Sequence, residues 1–318
     1  MAETDALLAQ AVKDQLVADV PLGAFLSGGI DSSLVVHYMA QAASSSSAPI
    51  KTFSVRFAEA GFDESPAAQA VAERYATEHH VLDAPELTAD TLAAALADLD
   101  QPLADPAYIP TWALSRLTRR HVTVALSGDG GDELFAGYPR FLDGADRFPD
   151  SLGKQMLRAL LRHGLAPASL RRRALAGSEL LLYRRVELGD YRGSRKDLRR
   201  YLTPEVARTA RPERTLELWR ELAARHGGYD RGALLRADLW TYLSENCLAK
   251  TDRASMAHGL EVRVPLLANA LQDRMLRLPA AVHFDAGGGK AILRALARRY
   301  LPDEAAWTTD EAWRSSFA

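Results

Sequence analysis

The chain of 318 residues has a single cysteine, Cys247, which excludes an internal disulfide and any paired-cysteine metal framework. Its apolar neighbours make that thiol a small core residue. No stretch reaches the roughly 18 consecutive apolar residues of a membrane-spanning helix. The sequence also lacks a basic excess: 39 Lys and Arg stand against 41 Asp and Glu, a formal charge of -2. That balance argues against generic nucleic-acid binding, although the middle of the chain is locally arginine-rich. The start, Met1-Ala2-Glu3-Thr4-Asp5, is acidic where a signal peptide would be basic, so a cytoplasmic protein is expected. There is no internal repeat and no GxxxxGK[ST] phosphate loop. With 47% apolar residues, the chain can still bury a full core as one large domain or two.

The most informative stretch is Ser27-Gly28-Gly29-Ile30-Asp31-Ser32-Ser33, which follows the apolar run Leu22–Leu26 and precedes the helical pattern Leu34–Met39. This is a strand, a Gly/Ser loop and a helix start. The glycines let backbone N–H groups approach an anion, the hydroxyls add donors, and the helix points its positive end at the same place. A triphosphate or pyrophosphate fits that set. Asp31 would repel such a ligand unless a cation lies between them, and magnesium takes carboxylates together with phosphate oxygens.

Around this loop, strand and helix patterns alternate. Leu8, Val12, Leu16 and Val17 give a lead-in helix over 5–18, and Ser44–Ser47 is a flexible connection. Residues 50–57 and 79–82 read as strands, as does Val122–Leu126. Helices are expected from the cap Asp63-Glu64-Ser65-Pro66 to about Thr77, over 88–99 and over 107–119. The alternation implies right-handed crossovers and a parallel sheet, with ligands at the carboxyl ends of its strands. From about residue 145 strand signals fade, and Arg158, Arg162, Arg171, Arg172, Arg173, Arg184 and Arg185 punctuate apolar residues at helical spacing. They read as a solvated helix face.

A second Gly-rich acidic loop, Ser127-Gly128-Asp129-Gly130-Gly131-Asp132-Glu133, follows the strand at 122–126. Alone it would be an acidic turn. Two such loops at strand ends face one crevice, where Asp132 completes a magnesium shell with Asp31 and Gly128 lets a nucleotide lie against the backbone.

With both loops on the page, the chain resembles the synthetase domain of the glutamine-dependent asparagine synthetases, within the ATP pyrophosphatases that carry SGGxDS. The matching residues are SGGIDSS at 27–33, FDES at 62–65, SGDGGDELFAGYPRF at 127–141 and KTDRASMAHGLEVRVPLL at 250–267. The resemblance implies an α/β fold, a parallel sheet flanked by helices with a mostly helical C-terminal part. It divides the chain into a lead-in helix (1–20), a nucleotide-binding core (21–145) and a helical region completing the cleft (146–318). It also implies ATP and Mg2+, and two chemical steps: aspartate attacks the α-phosphorus to give β-aspartyl-AMP and pyrophosphate, then ammonia displaces AMP.

Carried over by the same resemblance, Ser27, Gly28, Gly29, Asp31, Ser32 and Ser33 hold the pyrophosphate end. Leu26, Val55 and Gly128 flank the adenosine, with Ser127 beside them. Asp31 and Asp132 bind the metal. Asp129 either helps to deprotonate the incoming amine or orients the intermediate. Lys250, Asp252 and Arg253 are candidates from the 250–267 segment, of which Asp252 and Arg253 lean towards the site. Glu261 and Arg263 read equally well as a structural ion pair. Lys290, after Gly287-Gly288-Gly289, opens a helix much as a family lysine does.

Three departures qualify the resemblance. Ala2 follows Met1 where full-length relatives begin with a glutaminase cysteine, so ammonia is expected from a separate glutaminase domain or subunit. After Lys290 there is no lysine, whereas relatives carry a lysine-bearing loop near the C-terminus; Arg314 does not replace it atom for atom. Ala268 stands where relatives often have aspartate. An amidotransferase or lactam synthetase acting on another carboxylate, and a non-catalytic ATP-binding fragment, therefore stand beside asparagine synthesis.

Overall fold

The computed structural model describes residues 1–43, 48–58, 63–84, 86–103, 105–138, 231–285 and 288–301, with Phe141, 202–209 and single residues between 156 and 225. The serine run 44–47, Phe62, the arginines from 158 to 185, Gly287 and everything after Leu301 lie outside the described residues.

Five parallel strands form one sheet in the order β3-β2-β1-β4-β5. They are β1 (Leu22–Phe25), β2 (Lys51–Arg56), β3 (Glu78–Asp83), β4 (Val124–Leu126) and β5 (Glu261–Arg263). Gly23 registers with Lys51 on one side and Ala125 on the other, so β1 is central. Side chains alternate across the pleat as strand geometry requires. Ala24, Leu26 and Leu126 enter one apolar cluster; Phe25, Phe53 and Ala125 enter the other.

The first face is covered by α1 (Ala2–Gln15), α2 (Ile30–Ala42), α3 (Ser65–Arg74) and two helices close to the end of the described chain. Residues 32–39 of α2 are all buried, which explains why its sequence is apolar around the whole helix rather than on one stripe. The second face carries α4 (Ala89–Ala97), capped by Thr88, and α5 (Tyr108–Thr118). A short helix, α6 (Gly131–Phe135), follows β4.

Residues Tyr138–Asp238 form a separate compact unit, in which α7 (Pro204–Thr209) and α8 (Arg231–Asp238) are described. The chain then re-enters the first unit through a π-helix (Leu239–Leu248), α9 (Ala249–Met256), β5, α10 (Asn269–Arg277) and α11 (Ala291–Tyr300). The expected fading of strands after 145 therefore has an exception. Glu261-Val262-Arg263 is a fifth strand paired with β4, too short and too charged to signal itself by alternation. A boundary at 145/146 thus separates β5 from the sheet it belongs to.

Polar contacts tie α1, α2 and α11 together. Both carboxylate oxygens of Asp5 accept hydroxyls, from Tyr38 and from Tyr300, each at 2.7 Å. Tyr75 donates to the Tyr300 carbonyl at 2.7 Å. Its oxygen then accepts from His37 Nδ1 at 3.0 Å, which leaves Nε2 as a bare, buried lone pair without a partner. The His37 ring stacks on Tyr300 at 4.2 Å. A proton on Nε2 would have no acceptor, and burial lowers the His37 pKa from 6.5 to about 4 against the opposing pull of Asp5.

This predicts acid sensitivity of known sign. Between about pH 6.5 and 4 the unfolded chain takes up a proton that the folded chain refuses, so stability falls as pH drops through that window, by up to about 1.4 kcal/mol per unit for this one group. Urea midpoints from pH 7 to pH 4.5 should show a pH slope shallower by one proton in His37→Phe, which keeps the stack on Tyr300. An identical slope in the variant would place the acid sensitivity elsewhere.

Candidate functional site

The strand order places the site. β1 and β4 are neighbours, but their crossovers run to opposite sides, so the loops after them splay apart and leave a crevice at a topological switch point. Loop 26–30 and loop 127–131 line it.

In the first loop, Ser32 Oγ reaches back to Ser27 N at 3.2 Å and to Ser27 Oγ at 3.1 Å, while Gly29 N donates to Ser27 Oγ at 3.2 Å. The Ser27 and Gly29 amides and the two serine hydroxyls thus satisfy one another within the loop. Gly28 has φ 86°, and a Cβ there would lie 2.6 Å from Ala68 N at the start of α3. Ser33 differs from the other loop serines: it is fully buried on the inner side of α2. Leu26 is likewise buried in the core cluster, so that only its backbone faces the crevice end of β1. Val55 sits half-buried near the carboxyl end of β2.

In the second loop, Gly128 has a packing role beside the expected one. A Cβ at 128 would lie 2.7 Å from Ser32 N, so this glycine lets the second loop close onto the first turn of α2. The close approach joins the two loops directly.

Lys290 completes the cluster. Its Nζ lies 2.6 Å from Asp31 Oδ2 and 2.6 Å from Asp132 Oδ1. The residue adopts a left-handed conformation, φ 56°, at the start of α11, and its N–H donates to the Phe135 carbonyl at the end of α6. Burial works against its charge, but Asp132 and Asp31 outweigh burial and hold the ammonium above its ordinary pKa. Burial raises Asp31 to about 6; Lys290 pulls it down, and Asp132 and Asp129 push it up. One oxygen of Asp31, Oδ1, is buried with no hydrogen-bond partner.

Asp129 donates its backbone N–H to Ser127 Oγ at 3.0 Å and accepts Thr251 Oγ1 on Oδ2 at 2.8 Å. Thr251, buried on α9, had drawn no attention in the sequence, although it lies inside the 250–267 match. Glu64, in the FDES stretch, is exposed, but its carboxylate is partly desolvated, which raises its pKa; Lys290 opposes and Asp132 adds to the shift, which sets it electrostatically beside the cluster.

Two expected residues are not in the cluster. Successive helical residues point about 100° apart, and with Thr251 facing Asp129, Asp252 faces solvent. Arg253 is bonded through Nε to exposed Asp100 at 2.6 Å and through Nη1 to the Ala249 carbonyl. Glu261 and Arg263 take the structural reading. They pair at 2.6 Å, and Arg263 Nη1 caps the end of α1 at the Gln15 and Val17 carbonyls, 2.7 and 2.8 Å away.

The family model for asparagine synthase matches residues 3–315. Asparagine synthetase (glutamine-hydrolyzing) 1 of Bacillus subtilis is 32% identical over 302 residues, which are 92% of this chain and 46% of that protein. A putative asparagine synthetase (glutamine-hydrolyzing) of Mycobacterium bovis is 34% identical over 313 residues, 94% of this chain and 46% of that protein. The chain thus spans about half the length of the curated relatives it matches. Among solved structures, an NH3-dependent NAD synthetase from Campylobacter jejuni overlaps 68% of this chain and 93% of its own, with 12% identity and a TM-score of 0.32.

Removing the shared cation should expose the strain between the carboxylates. Lys290→Met leaves Asp31 and Asp132 facing each other in a buried site, and in divalent-free buffer at pH 8 the unfolding free energy is expected to fall by about 3 kcal/mol. Urea denaturation of Lys290→Met against Lys290→Met/Asp31→Asn checks the cause. The double variant should recover part of the loss; no recovery would mean that the lysine acts through packing alone.

Proposed function

Because the chain belongs to the asparagine synthase family, we propose that it carries out the ATP-dependent half of asparagine synthesis. The β-carboxylate of aspartate attacks the α-phosphorus of ATP, the bond between the α- and β-phosphates breaks, and pyrophosphate leaves. Ammonia then attacks the acyl carbon of β-aspartyl-AMP, gives up a proton, and AMP departs with the bonding pair. The observation that carries this reading is the meeting of both loops and Lys290 at one pair of carboxylates, Asp31 and Asp132.

Each group has a task that its position supports. The amides and hydroxyls of 27–29 and Ser32 exchange their mutual hydrogen bonds for phosphate oxygens, and the start of α2 adds its positive end. The backbone at Leu26 and Gly128 borders the nucleoside. Asp129, bonded to Thr251, keeps one carboxylate oxygen for the proton released by the attacking amine. Thr251 orients that carboxylate without touching substrate. Lys290 brings positive charge into a crevice where negative charge develops on the leaving group.

Magnesium fits the donor set. Asp31 Oδ1 is a buried oxygen without a partner, and it shares the site with a second hard carboxylate, that of Asp132. Asp31 and Asp132 would hold the ion, which when bound supplies charge against the phosphate oxygens. The relatives' names include glutamine hydrolysis, so ammonia is assigned to a glutaminase domain or partner chain.

The test is pyrophosphate release from MgATP with L-aspartate and ammonium, beside a no-acid control and a panel of other carboxylates. Aspartate-dependent release with asparagine as product is expected. Release with a different acid alone would reassign the substrate, and ATP binding without release for any acid would overturn the ligase reading. Asp31→Asn and Asp132→Asn should each weaken MgATP binding, by about tenfold or more for a lost charged contact. Asp129→Ala should keep the nucleotide and lose the amide, and full amide yield from it would remove Asp129 from the reaction.

A further inference from the structure

The phosphate loops occupy the carboxyl ends of the strands. At the amino ends, on the face that carries α5, lies a second convergence of chemical groups that the proposed reaction does not use. Lys51 registers with Glu78 and Phe53 with His80, so these four side chains share one face of neighbouring strands β2 and β3. His121 joins them from the turn between α5 and β4. The His80 and His121 rings lie 4.0 Å apart, and Phe53 stacks under His80 at 5.1 Å. His80 Nε2 is 3.0 Å from Glu78 Oε1.

We propose that Glu78, His80 and His121 form a binding site for a borderline transition-metal ion of the zinc class, distinct from the carboxylate site at Asp31 and Asp132. One donor atom from each residue lies within 4.8 Å of the other two, the only such set of three among the described residues. Tetrahedral zinc with ligands at about 2.0–2.1 Å places its donors roughly 3.4 Å apart. The closure needed is at most about 1.4 Å, and rotation of the 44% exposed Glu78 side chain and of the His121 ring on its turn shares it. Two imidazoles and one carboxylate are a donor set suited to zinc, with the fourth position left to water. His79, next in sequence, is not part of the set: it points to the other face and bonds Thr52 and Ser54.

The site has a built-in competitor. Lys51 Nζ is 3.9 Å from Glu78 Oε1 and neutralises it in the free protein. An ion bound by Glu78 must displace or tolerate that ammonium, so removing Lys51 should tighten metal binding while removing a ligand weakens it. A bound ion would tie edge strand β3 to the turn that leads into β4, and mass action would then stabilise the fold.

The experiment is titration of the chain with Zn2+, and with Co2+ for its ligand-field spectrum, in excess Mg2+ to occupy the hard carboxylates. One equivalent should bind, with a Co2+ band of tetrahedral intensity and a rise in melting temperature. His80→Phe, which keeps the ring on Phe53, and His121→Gln should each weaken binding about tenfold or more; Lys51→Met should strengthen it. Melting of metal-free variants separates lost binding from lost folding. No binding by the parent chain, or binding unchanged in both histidine variants, would overturn the proposal. Pyrophosphate release in excess Mg2+ without zinc is expected to be the same in His121→Gln as in the parent, so this outcome and that of the ligase assay are read independently.

Discussion

The ammonium of Lys290 is the point on which the site depends. Three segments far apart in sequence meet there: the first turn of α2 through Asp31, the second loop through Asp132, and the start of α11 through the lysine itself. Two carboxylates at this separation, largely removed from water, repel each other strongly unless a cation lies between them. With Lys290 in place, the loops after β1 and β4 can be held closed before any ligand arrives. The left-handed backbone at Lys290 is part of the same arrangement. It lets the residue start α11, bond the end of α6 through its N–H and still aim its side chain at the crevice.

The first loop is also braced from within. The Ser27 and Gly29 amides are paired with serine hydroxyls, so these donors are held in place by internal hydrogen bonds. Each such bond contributes about 1 kcal/mol and keeps the loop ordered. The glycines of both loops serve packing in the same way. Gly28 is pressed against α3 and Gly128 against α2, and in both places a methyl group would force a loop away from its neighbour.

Much of this was legible in the sequence because it is local. An apolar run followed at once by Gly, Ser and Asp signals a strand and a tight loop within ten residues, as at β1 and β4, and the alternation around 50–57 and 79–82 marks β2 and β3 just as locally. What escaped was non-local. β5 is three residues with charged ends, and it is a strand only because β4 offers it an open edge. Arg263 could be assigned only once α1 was seen to end beneath it. In the KTDRASM segment the charges of Lys250, Asp252 and Arg253 drew the reading to a site, but a helix turns successive side chains apart, and the uncharged Thr251 between them is the one that reaches Asp129.

The parallel sheet also separates chemistry by its two ends. At the carboxyl ends, helix N-termini and backbone amides favour anions, and the carboxylates found there are hard donors suited to a cation shared with phosphate. At the amino ends of β2 and β3 no phosphate loop competes, and the side chains that converge are imidazoles beside one carboxylate. A borderline ion prefers the second set and magnesium the first, since ligand softness and charge discriminate where raw affinity does not. Occupancy of one end therefore need not disturb the other, and β4 is one direct connection between them. That strand begins three residues after His121 and ends at the loop carrying Asp129 and Asp132.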